Sequence, residues 1–421
     1  MDYRESLDYL YGLQRFGIKL GLDNIHQILG RLHHPERDYP IVHVAGSNGK
    51  GSVCAGLASI LLQAGRRTGL YSSPHLHSFT ERIRIDGEAI SETEAVALID
   101  SVRAACDGIP VTFFEFTTAM ALLHFQRQEV EVAILEVGMG GRLDATNAVR
   151  PQVTVITPIC LDHSEHLGSD LAAIAAEKAG IIKPQIPLVL GQQPPAALQV
   201  LCDRAKDLLA PVYGYGREFT VETGEDNFDY QGLDLSFAGL QSGLQGMHQH
   251  HNLGVALATA EILRRQGLEL PVKALQEGVA AVRWPGRLEW WREQGKVLLD
   301  GAHNEGGAEV LAAYLASLSV AGIRWVVGAK AGKDIAKILR PLLPLVDCLY
   351  CTVPPVEDAV AAEDIARLAG ELGVDAACFE DSASALAAAL ADLQEDEIVL
   401  VAGSLFLVAA AREYLIDQEG G

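Results

Sequence analysis

The sequence predicts an α/β protein: a P-loop-type domain built on a mostly parallel sheet and carrying a small β-rich portion, followed by a smaller Rossmann-like C-terminal domain. Three observations predict it. Apolar runs alternate with helical patterns along most of the chain, which argues for a parallel sheet with helices on both faces. That alternation breaks at 212–245 and again at 283–291. The chain has 421 residues, 49% hydrophobic and 21% charged, enough for two or three domains and a large core.

In chain order, "YPIVHVAG" (39–46) reads as a buried strand, and "SVCAGLASILLQAG" (52–65) as a helix stopped by Gly65. "TGLYSS" (68–73), "EVAILEVG" (131–138), "QVTVITPI" (152–159) and "PLVLG" (187–191) are further buried strands. Helices at 117–128 and 170–180 lie between them. The stretch 212–245 is rich in Tyr, Phe, Thr and Gly and reads as antiparallel hairpins. Helices follow at 250–266 and 271–283. Pro285-Gly286 in "RWPGRLEWW" marks the boundary between domains 1–285 and 286–421. The second series has strands at 296–302, 324–329, 347–353, 375–379 and 397–404, with helices at 305–318, 333–341, 360–372 and 382–393 and a last helix at the end.

The charge balance is 33 − 55 = −22. An acidic surface repels nucleic acid and anionic lipid, so neither is an expected partner. A small anionic ligand is still admissible, because helix N-termini, a lysine and Mg²⁺ supply local positive potential. Seven cysteines follow no framework and read as reduced thiols. The lone CxxC at Cys348–Cys351 lies in an apolar strand, where core packing explains it better than a metal or redox site. The acidic start "MDYRESLDYLYG" has no signal-peptide core, and no uninterrupted apolar run is long enough to span a membrane. A cytoplasmic, monomeric protein is expected.

Four stretches carry chemistry. "HVAGSNGKGSV" (43–53) joins a buried strand to a helix through Gly46, Gly49 and Gly51, with Lys50 at the helix start. Such a loop presents backbone N–H groups and a helix dipole to phosphate, or else is simply a tight turn. It departs from the common phosphate-loop pattern, because Val44 stands where the first Gly belongs and Gly51 follows Lys50 in place of Ser or Thr. "LEVGMGGRLDATNAV" (135–149) delivers Glu136 to the carboxyl edge of a strand, where a carboxylate suits Mg²⁺. "ITPICLDHSEHLG" (156–168) places Asp162-His163 after another buried strand, with His163 either a ligand or a structural histidine. "LLDGAHNEGGAEV" (298–310) ends a strand at Asp300 and puts His303-Asn304 before a helix, as ligand contacts or as a plain helix cap.

Together and in this order, these stretches resemble the folylpolyglutamate synthase/dihydrofolate synthase family within the Mur-type amide ligases. The resemblance runs over essentially the whole chain, through "FGIKLGLDNI" (16–25), "YSSPHLHSFTERIRIDG" (71–87), "TFFEFTTAMA" (112–121), "EVGMGGRLDATN" (136–147), "AAEKAGIIKP" (175–184), "WPGRLE" (284–289), "DGAHN" (300–304) and "VAGSLFLV" (401–408). It implies an ATP-binding central domain and a C-terminal glutamate-ligase domain. ATP would be held by Ser47 (where the family typically has Thr), Asn48, Gly49, Lys50, Gly51 and Ser52, and by Asn252, Arg287 and Asp300. Ser73, Glu136 and His163 match the Mg²⁺ ligands, for two ions. Lys178 matches a lysine that the family carbamylates to N6-carboxylysine, although the sequence alone reads it as an exposed helix lysine. His248, His250 and His251 crowd the stretch before Asn252, and a metal cluster there is the less favoured reading. Thr112, Phe113, Phe114, Glu115, Leu143, Asp144 and Ala145 match the pterin-facing segments, and His303 and Ser404 the residues that receive glutamate. Glu305 stands where the family often has Pro.

The implied activity is ATP-dependent ligation of L-glutamate to dihydropteroate, to reduced folates, or to both, through an acyl phosphate, with Lys50, Lys178 and His303 as catalytic residues. Two domains closing over the reacting group would keep water from it. A monofunctional folylpolyglutamate synthase is the alternative. A cell-wall Mur ligase fits less well, since the 42 residues before His43 are too few for a UDP-sugar domain. A nucleotide-binding scaffold protein would not need Glu136, His163, Asp300 and His303.

Overall fold

The computed structural model describes residues 2–16, 21–162, 167–168, 170–225, 227–291 and 296–420. His163 lies outside the described residues. The chain forms two compact units. One holds residues 1–159, 167–243 and 249–282, and the other 160–166, 244–248 and 283–421.

The first unit is organised by an eight-stranded sheet of β1 (Ile41–Ala45), β2 (Thr68–Tyr71), β3 (Ile83–Ile85), β4 (Glu88–Ala89), β5 (Val132–Glu136), β6 (Val153–Ile156), β7 (Leu188–Leu190) and β8 (Val212–Gly214). Their order is β4-β3-β2-β5-β1-β6-β7-β8. From β2 to β8 all pairings are parallel, and only β3 and β4 add antiparallel strands at one edge. Every residue of β1, β2, β5, β6 and β7 is buried, because helices cover both faces. This is why those strands read as unbroken apolar runs. The order sets β5, β1 and β6 side by side, so Glu136, Ala45 and Ile156 end at one edge, the edge where ligands bind in open parallel sheets.

One expectation needs correction. The hairpin-like stretch does not begin at 212, because β8 pairs in parallel with β7, Leu188 opposite Val212. The antiparallel portion is β9 (Thr220–Thr223), β10 (Asn227–Gln231) and β11 (Ser236–Gln241). Along β10 burial alternates, with Phe228 and Tyr230 turned inward. Glu261, on the helix Met247–Arg265, anchors this sheet. Tyr230 Oη donates to its Oε1 at 2.8 Å, and the amide of Asp234 donates to its Oε2 at 2.6 Å.

The second unit has a six-stranded sheet of β12 (Glu289–Trp291), β13 (Val297–Asp300), β14 (Gly322–Val327), β15 (Cys348–Cys351), β16 (Ala376–Cys378) and β17 (Glu397–Ala402). The order is β12-β13-β17-β14-β15-β16, parallel except for β12. Among the described residues five helices accompany it: Glu305–Ala316, Ile335–Leu342, Ala362–Glu371, Ser382–Ala391 and Leu405–Gly420. Trp325 is fully buried at its centre and donates from Nε1 to the Ala402 carbonyl at 3.1 Å. Cys351 packs in this core. Asp300 and Ala402 are register partners, so the loops after β13 and β17 leave the sheet together. Among the described residues, no helix is long and apolar enough to cross a membrane.

Candidate active site

The loop after β1 is held from three directions. The amides of Ser47 and Asn48 donate to the Pro158 carbonyl at 3.0 and 3.3 Å, and Thr157 Oγ1 donates to the Asn48 carbonyl at 2.7 Å. Gly46 has φ +149°, and a Cβ there would collide with Thr157 Oγ1. Gly49 caps the helix Lys50–Gln63 with φ +84°, and a Cβ there would collide with Asn252 Oδ1. Only glycine fits either position. Asn252 is buried, donates to Gln249 Oε1 at 3.0 Å and is thereby fixed against the loop. Gly51 and Ser52 form the first helical turn, whose amides point back at the loop. Lys50 Nζ donates to the carbonyls of Gly46 at 3.2 Å and Ser47 at 3.1 Å.

Glu136 ends β5 beside this loop and is only 5% exposed. Its Oε2 accepts from the Ser73 amide at 3.3 Å, joining two of the three predicted metal-binding positions. Lys178 corrects the reading of an exposed helix lysine. It ends the helix Leu171–Lys178, is 4% exposed, and donates from Nζ to the Gly46 carbonyl at 2.7 Å. Two lysines therefore converge on one carbonyl of the loop. Two of the three histidines before Asn252 pack on aromatic rings: His250 stacks on Phe228 at 5.0 Å and His251 meets Tyr215 edge-on at 5.2 Å. Among the described residues, no three His, Cys, Asp or Glu side chains gather as a metal cluster.

The residues matched to pterin binding surround the start of the helix Phe113–Arg127. Thr112 caps it in a capping box, with the Thr112 amide and Oγ1 both donating to Glu115 Oε2 at 2.8 Å. Glu115 is buried and also accepts from Asn24. Phe113 stacks on Tyr11 at 5.9 Å, and Phe114 lies 5.9 Å from Tyr71. In the following loop Leu143 is half-buried and Ala145 buried. Asp144 is buried, and burial raises its pKa against donors from Thr146 and Met139.

In the second unit, Asp300 accepts from the amides of Leu288 at 2.9 Å and Ala302 at 2.8 Å. Burial raises its pKa, opposed by Arg287 and these two amides. Arg287 donates to the Gly286 carbonyl at 3.1 Å. His303 Nδ1 lies 2.8 Å from the Gly301 carbonyl and donates to it, so Nε2 carries the lone pair in the neutral ring. Burial and the nearby Lys333 hold that ring's pKa below its ordinary value. Asn304 is a helix cap, accepting from the Gly307 amide at 2.8 Å, and it also donates to Asp162 at 3.2 Å. Ser404 is buried and accepts from the Phe406 amide at 3.2 Å. Glu305, at the unusual position after Asn304, pairs with Lys337 at 3.0 Å.

Residues 44–260 match the Mur ligase middle domain, and residues 286–405 the Mur ligase glutamate ligase domain. The chain is 34% identical over 428 residues to the dihydrofolate synthase/folylpolyglutamate synthase of Bacillus subtilis, covering 98% of this chain and 99% of that protein. The chain belongs to the dihydrofolate synthase/folylpolyglutamate synthase family. Its fold matches Escherichia coli FolC in complex with DHPP and ADP with a TM-score of 0.93, at 34% identity over 100% of this chain and 99% of that one. It also matches a bifunctional folylpolyglutamate synthase/dihydrofolate synthase with Mn, AMPPNP and L-glutamate bound, with a TM-score of 0.89 and 35% identity over 99% and 98% of the two chains.

In this member of the synthase family, four residues that sequence reasoning did not single out touch the matched positions or their neighbours, three in the first unit and one in the second. Thr157 holds the loop after β1, and its only signal was a hydroxyl residue directly after a buried strand. Thr146 donates to Asp144 at 2.5 Å and therefore accepts from His43 Nε2, 2.8 Å away, tying β1 to the loop at 143–148. Lys333 pairs with Asp162, and it could have been suspected from its place just after β14. Arg82 ends the short helix Phe79–Arg82 and is 8% exposed.

Proposed function

We infer that this protein uses ATP to join L-glutamate to dihydropteroate and to the γ-carboxylate of reduced folates. The observation that carries this reading is the meeting, at one sheet edge, of a glycine loop with Lys50, the buried carboxylate of Glu136, and Lys178 on the loop's own carbonyl. The solved relatives with ADP and DHPP, or with AMPPNP, Mn and L-glutamate, support it in the same direction.

A free carboxylate is a poor electrophile. Its oxygen attacks the γ-phosphorus of ATP, the bond to the β-phosphate oxygen breaks, and ADP leaves. The loop amides and Lys50 hold the phosphates and offset their charge. The glutamate amine then attacks the acyl carbon, phosphate departs, and the amine loses a proton. We assign His303 and Ser404 to the incoming glutamate, and Arg287, Asp300 and Asn252 to ATP. Thr112, Phe113, Phe114, Glu115, Leu143, Asp144 and Ala145 are assigned to the pterin.

Glu136 and Ser73, brought together by a hydrogen bond, offer hard oxygen donors that would hold Mg²⁺. When bound, magnesium supplies charge neutralisation for the phosphoryl group. Lys178 fits a carbamate. The N–H retained after carbamylation still donates to the Gly46 carbonyl, while the new oxygens are acceptors where a bare ammonium would repel a cation. The protein acts as a monomer on small molecules alone.

The test is purified protein with ATP, Mg²⁺, labelled glutamate and either dihydropteroate or tetrahydrofolate. Labelled conjugate with both acceptors is expected. Conjugate with tetrahydrofolate alone would leave only the chain-extending activity, and conjugate with neither would remove the reading.

A further inference from the structure

Arg82 is a buried cation with no carboxylate at contact distance among the described residues. It lies 8% exposed in the first unit, on the strand edge that carries Ser73: the Ser72 amide donates to the Arg82 carbonyl at 3.0 Å. Its guanidinium carbon is 5.2 Å from the Phe113 ring centroid, and Phe113 packs in turn on Phe79 and Tyr11. Its Nε donates to His75 Nδ1 at 2.8 Å. His75 accepts through a ring nitrogen and so brings no negative charge to the guanidinium. The adjacent carboxylate of Glu81 is committed elsewhere, accepting from the amides of Leu76, His77 and Ser78 at 2.9 to 3.0 Å. Glu136, Tyr11 and Tyr71 act on Arg82 only from a distance. Among the described residues no carboxylate lies within ion-pair reach of Arg82, and its two terminal nitrogens have no hydrogen-bond partner. Burial correspondingly lowers its pKa.

A buried charge without a counterion is costly. A guanidinium locked through Nε presents the other side of a rigid fork, which matches a carboxylate with two parallel hydrogen bonds. The aromatic wall beside it suits a planar aryl group. We propose that Arg82 anchors a carboxylate of the acceptor substrate, its fork meeting the anion while the aryl ring of that substrate lies against the Phe113 side. The carboxylate has two possible sources. In dihydropteroate it is the reacting group itself, and in tetrahydrofolate it is the reacting group or the non-reacting α-carboxylate. This rests on the functional reading above and adds to it the residue that recognises the acceptor's charge.

The test is equilibrium binding in the presence of a non-hydrolysable ATP analogue and Mg²⁺. Dihydropteroate and tetrahydrofolate are each compared with the analogue in which the carboxylate is replaced by a carboxamide. Wild-type protein prefers the carboxylate. Arg82→Gln loses roughly ten- to hundredfold in affinity for the carboxylate form, binds the carboxamide as wild type does, and keeps its affinity for the ATP analogue. Loss with dihydropteroate assigns the reacting carboxylate; loss with tetrahydrofolate alone assigns the α-carboxylate. Arg82→Lys keeps the charge without the fork and serves if the Gln variant does not fold; its preference should also fall. A variant that keeps the wild-type preference for both acceptors, in a protein whose wild type is active, overturns the assignment alone. A wild type with no turnover overturns the functional reading, and the assignment with it.

Discussion

His43 lies fully buried in the middle of β1, and burial, with a smaller contribution from Lys183, brings its pKa from 6.5 down to about 3. The unfolded chain therefore binds a proton that the folded one refuses at intermediate pH. The stability tied to this ring is complete above the unfolded pKa and is lost as pH falls toward the folded one, by at most about 1.4 kcal/mol per pH unit. His43→Gln should flatten the dependence of melting temperature on pH between 6.5 and about 4; an unchanged slope would assign the acid sensitivity to other groups. Glu136→Ala should lower kcat by at least about 10²-fold, the scale of losing one group that organises transition-state charge, while the far-ultraviolet spectrum stays that of wild type. Lys178 is the residue least legible in the sequence. A lysine in "AAEKAG" looks solvent-facing until the helix is seen to end under the Gly46 carbonyl. With isotopically labelled bicarbonate, carbon NMR should detect a carbamate in the wild type that is missing in Lys178→Gln.

At the level of elements, the loop after β1 keeps its shape because strand, glycine and neighbouring side chain are fitted to one another. Gly49→Ala puts a methyl against Asn252 and forces a positive φ. It should cost about 1–3 kcal/mol of stability and weaken binding of an ATP analogue, which calorimetry measures directly. The parallel strands were legible because burial on both faces leaves a continuous apolar run, as in β1, β5 and β6. The exceptions are short or edge strands. β3 and β4 span three and two residues and carry polar side chains, β12 is half-exposed throughout, and β8 hides in a Tyr- and Gly-rich stretch that resembles a hairpin. None has a periodicity long enough to read. The same limit applies to Thr157, Thr146, Lys333 and Arg82. Their roles depend on partners far away in sequence, and only the fold brings those together.

Across the molecule, the net charge of −22 coexists with a loop in the first unit on which Lys50 and Lys178 converge, so positive charge is placed locally in an acidic chain. The central claim is that a substrate carboxylate is phosphorylated before the glutamate amine attacks it. Dihydropteroate whose carboxylate carries heavy oxygen decides this claim. Turnover with ATP and L-glutamate should move one labelled oxygen from each acceptor molecule into inorganic phosphate, detected by mass spectrometry. Amide product formed with unlabelled phosphate would contradict the account.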